Sequence, residues 1–145
     1  MSLRGWTLCV ASLLLAVFGA SSALADDDPL ADALRQVVAG NIAAYNREDV
    51  DATMSFIDTA SPDYDSTKRE TADLFKALDV TEELVDFKLI GHDDEFAVAR
   101  VKIKSVAKAG SPFTNNVLDS IVIFHQENGA WKLWSEESLG VQPLP

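Results

Sequence analysis

Apolar and polar residues alternate most clearly in the last third of the chain, in two runs that flank Asn128 and Gly129. This dipeptide readily adopts the positive φ angles of a type I′ turn, so the two runs predict a long β-hairpin over residues 115–139. Residues 97–104 alternate in the same way, and a shorter alternation covers residues 85–89. Because a period of two is typical of half-buried strands, the second half of the chain predicts a meander of antiparallel strands.

The turn sets the register of the predicted hairpin. With Asn128 and Gly129 as the two turn residues, the pairs across the hairpin are Glu127–Ala130, Phe124–Leu133, Val122–Ser135 and Ser120–Glu137. The last three pairs share the more apolar face with Leu118 and Trp131, and we assign that face to the core. The opposite face then carries Asp119, Ile121, Ile123, His125, Lys132, Trp134 and Glu136.

Helical spacing dominates the first half of the chain. Asp28 precedes Pro29 and is placed to cap a helix whose apolar stripe continues to Tyr45. Asp49 predicts the cap of a second, short helix, and residues 67–70 have the form of a capping box that starts a third helix. Three helices followed by a run of strands predict an α+β fold.

The first 25 residues differ in composition from the rest of the chain. Arg4 precedes an apolar run over residues 8–18, and residues 23–25 have the Ala-x-Ala form of a cleavage site. This is the pattern of a secretory signal peptide. We therefore divide the chain into a signal peptide, residues 1–25, and one domain, residues 26–145, that is secreted or periplasmic. Cys9 lies in the apolar run, so the domain has no cysteine and no thiol chemistry.

The charge of the chain limits its partners. A formal net charge of −11 disfavours nucleic acid, and it disfavours an anionic membrane surface once the signal peptide is removed. The two histidines, His92 and His125, lack the spacing of a metal site, and no glycine-rich phosphate loop is present. The sequence therefore predicts neither a metal nor a cofactor.

Two motifs carry a resemblance to a known superfamily. In residues 45–52 a tyrosine precedes a short acidic link between helices, and residues 128–133 place glycine-x-tryptophan-lysine-aliphatic on the last strand. This resembles the nuclear transport factor two-like superfamily, which includes ketosteroid isomerase, scytalone dehydratase and polyketide cyclases, over nearly the whole domain. The resemblance implies a cone-shaped roll, with three N-terminal helices packed on a curved, mostly antiparallel sheet around an apolar pocket. It does not settle the function, because a fold hosts many functions.

Alternation along the strands predicts the wall of that pocket. The pocket candidates, drawn from the strands and from the helical half, are Tyr45, Tyr64, Ser120, Val122, Phe124, Ser135 and Glu137. Such a wall lacks the convergent titratable groups of an acid–base catalyst. The leading hypothesis is an exported, non-catalytic domain that binds a small apolar ligand or a protein partner. The alternative is an acid–base enzyme, an isomerase, dehydratase or cyclase, that uses Glu137 or Tyr45.

The outward face of the predicted sheet suggests an assembly. Val98, Ile121, Ile123 and Trp134 would form one apolar patch there. Monomers rarely leave such a patch exposed, and the same patch on two copies can form a two-fold contact. We therefore expect a homodimer.

The leader pattern makes a direct prediction about processing. Cleavage after the Ala-x-Ala site gives an exported chain that begins at Asp26. N-terminal sequencing of exported protein checks this. A chain that still begins at Met1, or within the apolar run, would contradict it.

Overall fold

A computed structural model describes residues 28–145, and the predicted signal peptide lies outside this range. The helices are α1 Pro29–Tyr45, α2 Val50–Met54 and α3 Tyr64–Ala77. The strands are β1 Val80–His92, β2 Phe96–Ala107, β3 Asn116–Glu127 and β4 Ala130–Pro143. They form one antiparallel sheet in the order β1-β2-β3-β4. The sheet is curved and unclosed, with the three helices packed against it, which confirms the predicted α+β roll.

Helix α1 begins and packs as its sequence predicts. The Asp28 side chain accepts a hydrogen bond of 2.9 Å from the backbone N–H of Leu30, and Pro29 occupies the first turn. Leu34, Val38 and Ile42, spaced four residues apart, are buried on one face. The residues of β2 and β3 that complete this core are Ala97, Ala99, Val101, Val122 and Phe124. Of the described helices, none is long and apolar enough to cross a membrane.

The start of α3 differs from the prediction. Asp49 caps α2 as expected, since its side chain accepts the N–H of Ala52. Helix α3, however, begins at Tyr64, so Thr67 is already inside it and the predicted capping box is wrong. The N–H of Thr67 donates to the Asp63 carbonyl at 2.8 Å, which makes it part of the first helical turn. The helix starts early because Ser61 is held against β4, where its Oγ donates to the Trp134 carbonyl at 2.7 Å.

The hairpin register is confirmed near the turn and is wrong beyond it. Asn128 and Gly129 both have positive φ, and Glu127–Ala130 and Phe124–Leu133 pair as predicted. A bulge at Trp134 then shifts the strand by one residue. The observed pairs are Ile123–Ser135, Val122–Glu136 and Ile121–Glu137, in place of the predicted Val122–Ser135 and Ser120–Glu137. Because side chains alternate, the shift reverses which β4 residues face the helices.

Backbone contacts outside the hairpin coincide with this bulge. The Leu133 N–H donates to the Phe56 carbonyl and the Asp58 N–H donates to the Leu133 carbonyl, both at 2.8 Å. Ile57 forms a parallel bridge with Leu133 between these two bonds. The chain between α2 and α3 therefore covers the edge of β4 next to Trp134. A second register shift follows at Leu139, where Ser120 pairs with Ser138 and Asp119 with Gly140.

Strand β1 also contains a bulge that alternation alone does not reveal. A shift between Leu84 and Asp86 leaves Val85 47% exposed, although the sequence pattern predicts it inside. Leu84 instead packs against the core. Counting back from Leu84, Glu82 falls on the inner face, opposite Ser105.

The outer face of the sheet keeps part of the predicted patch. Val98, Ile121 and Ile123 are half-buried and adjoin one another in the ladder. Arg100 and Asp119 form an ion pair beside them, with Nε 2.8 Å from Oδ1. Trp134 is also half-buried, but its ring packs against Phe96 and His125 within the chain.

We expect two copies of the chain to associate through this outer face, and Ile121→Asp to separate them. A carboxylate at Ile121 would be desolvated in an apolar contact without a partner, which is strongly unfavourable. Light scattering at micromolar concentration measures the mass. Leu74→Asp, which alters a 40% exposed apolar residue on α3, is the matched control and should leave the dimer intact. A monomer mass for the unmodified protein would contradict this expectation.

Candidate functional site

A cavity of about 580 Å³ lies between the helices and the inner face of the sheet. Its volume is in the range that holds small ligands. The helical half contributes Asn41, Tyr45, Thr53, Ile57, Ser61, Asp63, Ser66, Thr67, Glu70 and Thr71. The sheet contributes Glu82, Ile103, Ser105, Leu118, Leu133, Trp134, Ser135, Glu136 and Ser138. Polar residues outnumber apolar ones in this lining, so the wall contains more polar side chains than the sequence predicts.

Glu82 enters the cavity from the start of β1, and α1 holds it there. The Asn46 side chain, which follows the last turn of α1, donates to the Glu82 carbonyl at 2.8 Å and accepts the Glu82 N–H at 2.7 Å. Burial, and then the nearby charge of Glu136, raise the pKa of Glu82 to about 7, against a weak hydrogen bond from Ser105. Near neutral pH this carboxyl group therefore exists in both protonation states.

Glu136 enters from the opposite edge of the sheet because of the Trp134 bulge. It pairs with Val122, whose side chain lies in the core. The Oγ of Ser120, which is fully buried, donates to Glu136 Oε1 at 2.6 Å. This bond fixes the carboxylate on the inner face and satisfies a hydroxyl that would otherwise be buried without a partner.

Tyr45 lines the cavity from the last residue of α1. Its ring packs edge-on against Phe75 of α3, with 4.9 Å between ring centroids. Burial, followed by the charges of Glu82 and Glu48, raises the pKa of Tyr45 to about 12. The hydroxyl is therefore protonated at neutral pH and available as a hydrogen-bond donor.

The charged side chains that line the cavity are all acidic. Its acidic residues are Asp63, Glu70, Glu82 and Glu136, and its described lining contains no lysine, arginine or histidine. A site of this kind can hold a cation or a group rich in hydrogen-bond donors. No group of three or more potential metal-binding side chains occurs within residues 28–145.

The structure places the sequence-based pocket candidates in different environments. Tyr45 and Ser135 line the cavity, and Ser120 supports Glu136 from behind. Val122 and Phe124 are buried in the core instead of facing the open space. Tyr64 begins α3 and is not part of the lining. Glu137 pairs with Ile121 and points away from the cavity, because the bulge exchanges it with Glu136.

Sequence reasoning missed Glu82 and Glu136, the two carboxyl groups that dominate the site. The sequence could have revealed Glu82, because alternation places it on the same face as Leu84 in a strand that begins at Val80. The position of Glu136 depends on a bulge, and no residue type in β4 announces one. Asp119 lies on the outer face of the sheet, where it forms an ion pair with Arg100.

A comparison with family profiles identifies the chain. Residues 36–144 match the family described as the C-terminal domain of anti-sigma-I factor RsgI9. The chain belongs to this family. No curated protein sequence gives a significant match.

Several solved structures share the fold of this chain, although their sequence identity to it is low. An uncharacterised protein with a cystatin-like fold from Caulobacter vibrioides is 13% identical, with a TM-score of 0.62 over 79% of this chain and 89% of its own. A protein from Novosphingobium aromaticivorans DSM 12444, provisionally assigned as a scytalone dehydratase, is 8% identical, with a TM-score of 0.62 over 79% and 87%. A ketosteroid isomerase-like protein from Erwinia carotovora atroseptica SCRI1043 is 13% identical, with a TM-score of 0.58 over 78% and 98%. These likenesses confirm the nuclear transport factor two-like fold.

Proposed function

We propose that the cavity binds a small molecule that carries both a cationic group and an apolar part, and that it does so without converting it. The observation that carries this proposal is the placement of Glu82 and Glu136 in a lining without basic residues. The site is concave, and that favours a small molecule over a protein partner. Export of the domain is part of the proposal and is supported by the leader pattern of residues 1–25.

The electrostatics of the cavity favour a cation. The charge of Glu136 disfavours ionisation of Glu82, because the two carboxylates repel each other. A cationic group placed between the two carboxyl groups would offset this repulsion and favour the ionised form of Glu82. Binding would therefore release a proton from Glu82 near neutral pH.

The remaining lining suits the apolar part of such a molecule. Ile57 from the helical half and Ile103, Leu118 and Leu133 from the sheet provide aliphatic contact. Burying this surface with a ligand contributes binding energy, while the carboxyl groups orient the charged end. An amphipathic ligand thus replaces the purely apolar one that the sequence predicts.

The non-catalytic part of the proposal draws on the family. The matching family is described by a domain of an anti-sigma factor and not by an enzymatic activity. A domain of this kind can act through binding alone. The likeness to structures described as isomerase-like or dehydratase concerns the fold and carries no activity with it.

Acid–base catalysis in the same cavity is the second candidate. It is favoured by Glu82, because a carboxyl group with a pKa of about 7 suits proton transfer at neutral pH. The Tyr45 hydroxyl would then stabilise a developing oxyanion. Glu82 here replaces the Glu137 of the sequence-based hypothesis, and Tyr45 is common to both.

Three compounds of similar shape test the proposed ligand class. We expect phenethylamine to bind more tightly than phenethyl alcohol, and phenylacetate to bind least, in calorimetric titrations at neutral pH. Glu136→Gln should weaken amine binding by roughly tenfold or more, since the ammonium group loses a charged hydrogen-bond partner. Glu137→Gln is the matched control and should bind like the unmodified protein, because its side chain lies on the opposite face.

Equal affinity for the three compounds, or preference for the carboxylate, would contradict binding of a cation. Measurable turnover of a bound compound that disappears in Glu82→Gln while affinity persists would instead establish the second candidate. Calorimetry in buffers of different ionisation enthalpy would also detect the expected proton release.

A further inference from the structure

The chain between α2 and α3 forms an edge segment, residues 55–61, that lies along β4. Its backbone bonds to Leu133 are those that accompany the bulge, and Lys132 donates from Nζ to the Ser55 carbonyl. Two of its residues, Ile57 and Ser61, line the cavity. The segment leads directly into α3, which carries the outer part of the cavity lining. The position of this segment therefore determines the shape of one side of the cavity.

Asp58 is the most deeply buried polar residue of the edge segment. Its side chain is fully buried, with Oδ1 accepting the N–H of Ala60 at 2.7 Å and Oδ2 lying 2.6 Å from Nδ1 of His125. A buried carboxylate is costly unless hydrogen bonds and an opposite charge compensate it. His125 is the side chain that supplies this compensation.

His125 lies on the outer face of β3 and is enclosed by aromatic rings. Its ring centroid is 4.7 Å from that of Phe96 and 4.9 Å from that of Trp134, and its side chain is only 18% exposed. His125, which the predicted register places on the outward face, is therefore enclosed by neighbouring side chains and not solvated. The sequence does not reveal this enclosure, because Asp58 and His125 are 67 residues apart.

The charged groups around His125 favour its protonated form. Nδ1 faces Asp58 of the edge segment, and Nε2 lies 3.4 Å from Glu95 in the turn between β1 and β2. Lys132 is the register partner of His125 on β4, and its ammonium group is directed to the Ser55 carbonyl. The hydrogen bond that His125 donates to Asp58 raises the pKa of His125 above its usual range, opposed by burial and assisted by Glu95.

We propose that Asp58 and His125 form a proton-operated clasp that fixes the edge segment, and with it one side of the cavity. The clasp is fully effective below the ordinary histidine pKa, near 6.5, because His125 is then charged whether the segment is bound or free. It weakens as pH rises through the raised pKa of His125 in the folded protein. Above that pH, buried Asp58 keeps a hydrogen bond and loses its opposite charge.

Amide hydrogen exchange measured by NMR tests the clasp without any ligand. The N–H groups of Asp58 and Leu133 form the bonds that hold the edge segment. We expect their protection factors, corrected for intrinsic base catalysis, to fall as pH rises from the ordinary histidine pKa, near 6.5, through the raised pKa of His125. The fall should be ~10-fold for each unit by which folding raises the pKa of His125.

Variants separate the clasp from other titrations. Asp58→Asn combined with His125→Gln replaces the ion pair by two amides that can still hydrogen-bond, and its edge segment should show no pH dependence. His92→Gln removes the other histidine, at the exposed end of β1, and should leave the dependence unchanged. The clasp is refuted if protection at Asp58 and Leu133 is flat with pH in the unmodified protein. It is equally refuted if the double variant keeps the dependence. Failure here leaves the cation-binding test untouched, since that test does not involve His125.

Discussion

Two backbone hydrogen bonds at Leu133, one to Phe56 and one to Asp58, are the constraint on which the functional architecture depends. They join the edge segment to β4 immediately before the bulge at Trp134. A strand has a side-chain period of two, so one inserted residue exchanges its faces for as long as the new register holds. Here the new register places Glu136 inside and Glu137 outside. This exchange places Glu136, and not Glu137, in the cavity that Glu82 also lines.

The acidic residues that line the cavity come from distant sections of the chain. Glu82 is positioned by the end of α1 through Asn46, and Glu136 by β3 through Ser120. Packing does not account for this arrangement, because holding the partly buried Glu82 near the charge of Glu136 is unfavourable. Stability given up at one place in a fold is typical of functional sites, and binding of a counter-charge would recover it. The edge segment links this cavity to the Asp58–His125 pair on the other face of the sheet.

Local chemistry explains which parts of the fold could be predicted. Asp28 and Asp49 cap their helices by contacts within three residues, and the turn at Asn128 and Gly129 depends on its own φ angles. The buried stripe of α1 repeats at the helical period and is equally visible in sequence. These elements, together with their order, were sufficient for the α+β roll.

The site was less predictable because non-local contacts decide it. The bulge at Trp134 coincides with bonds to a segment about 75 residues earlier in the chain, and β-bulges have no sequence signature that requires them here. Alternation along residues 85–89 likewise puts Val85 on the inner face, but a register shift in β1 before Asp86 leaves it exposed. The burial of His125 depends on Asp58, which carries no sequence motif. Alternation assigns faces reliably only between bulges. Glu136 follows the bulge at Trp134 in β4, and Glu82 precedes the register shift at Val85 in β1.

The pairing of Glu82 with Glu136 across the cavity is tested most directly by following the Glu82 side-chain carboxyl carbon in an NMR pH titration. Its midpoint should lie near 7 in the unmodified protein and should fall toward the ordinary value of 4.5 in Glu136→Gln. Some elevation should persist there, because burial is the larger cause. Glu137→Gln should leave the midpoint where it was. A midpoint near 4.5 in the unmodified protein, or one that responds to Glu137→Gln and not to Glu136→Gln, would contradict the register and the site built on it.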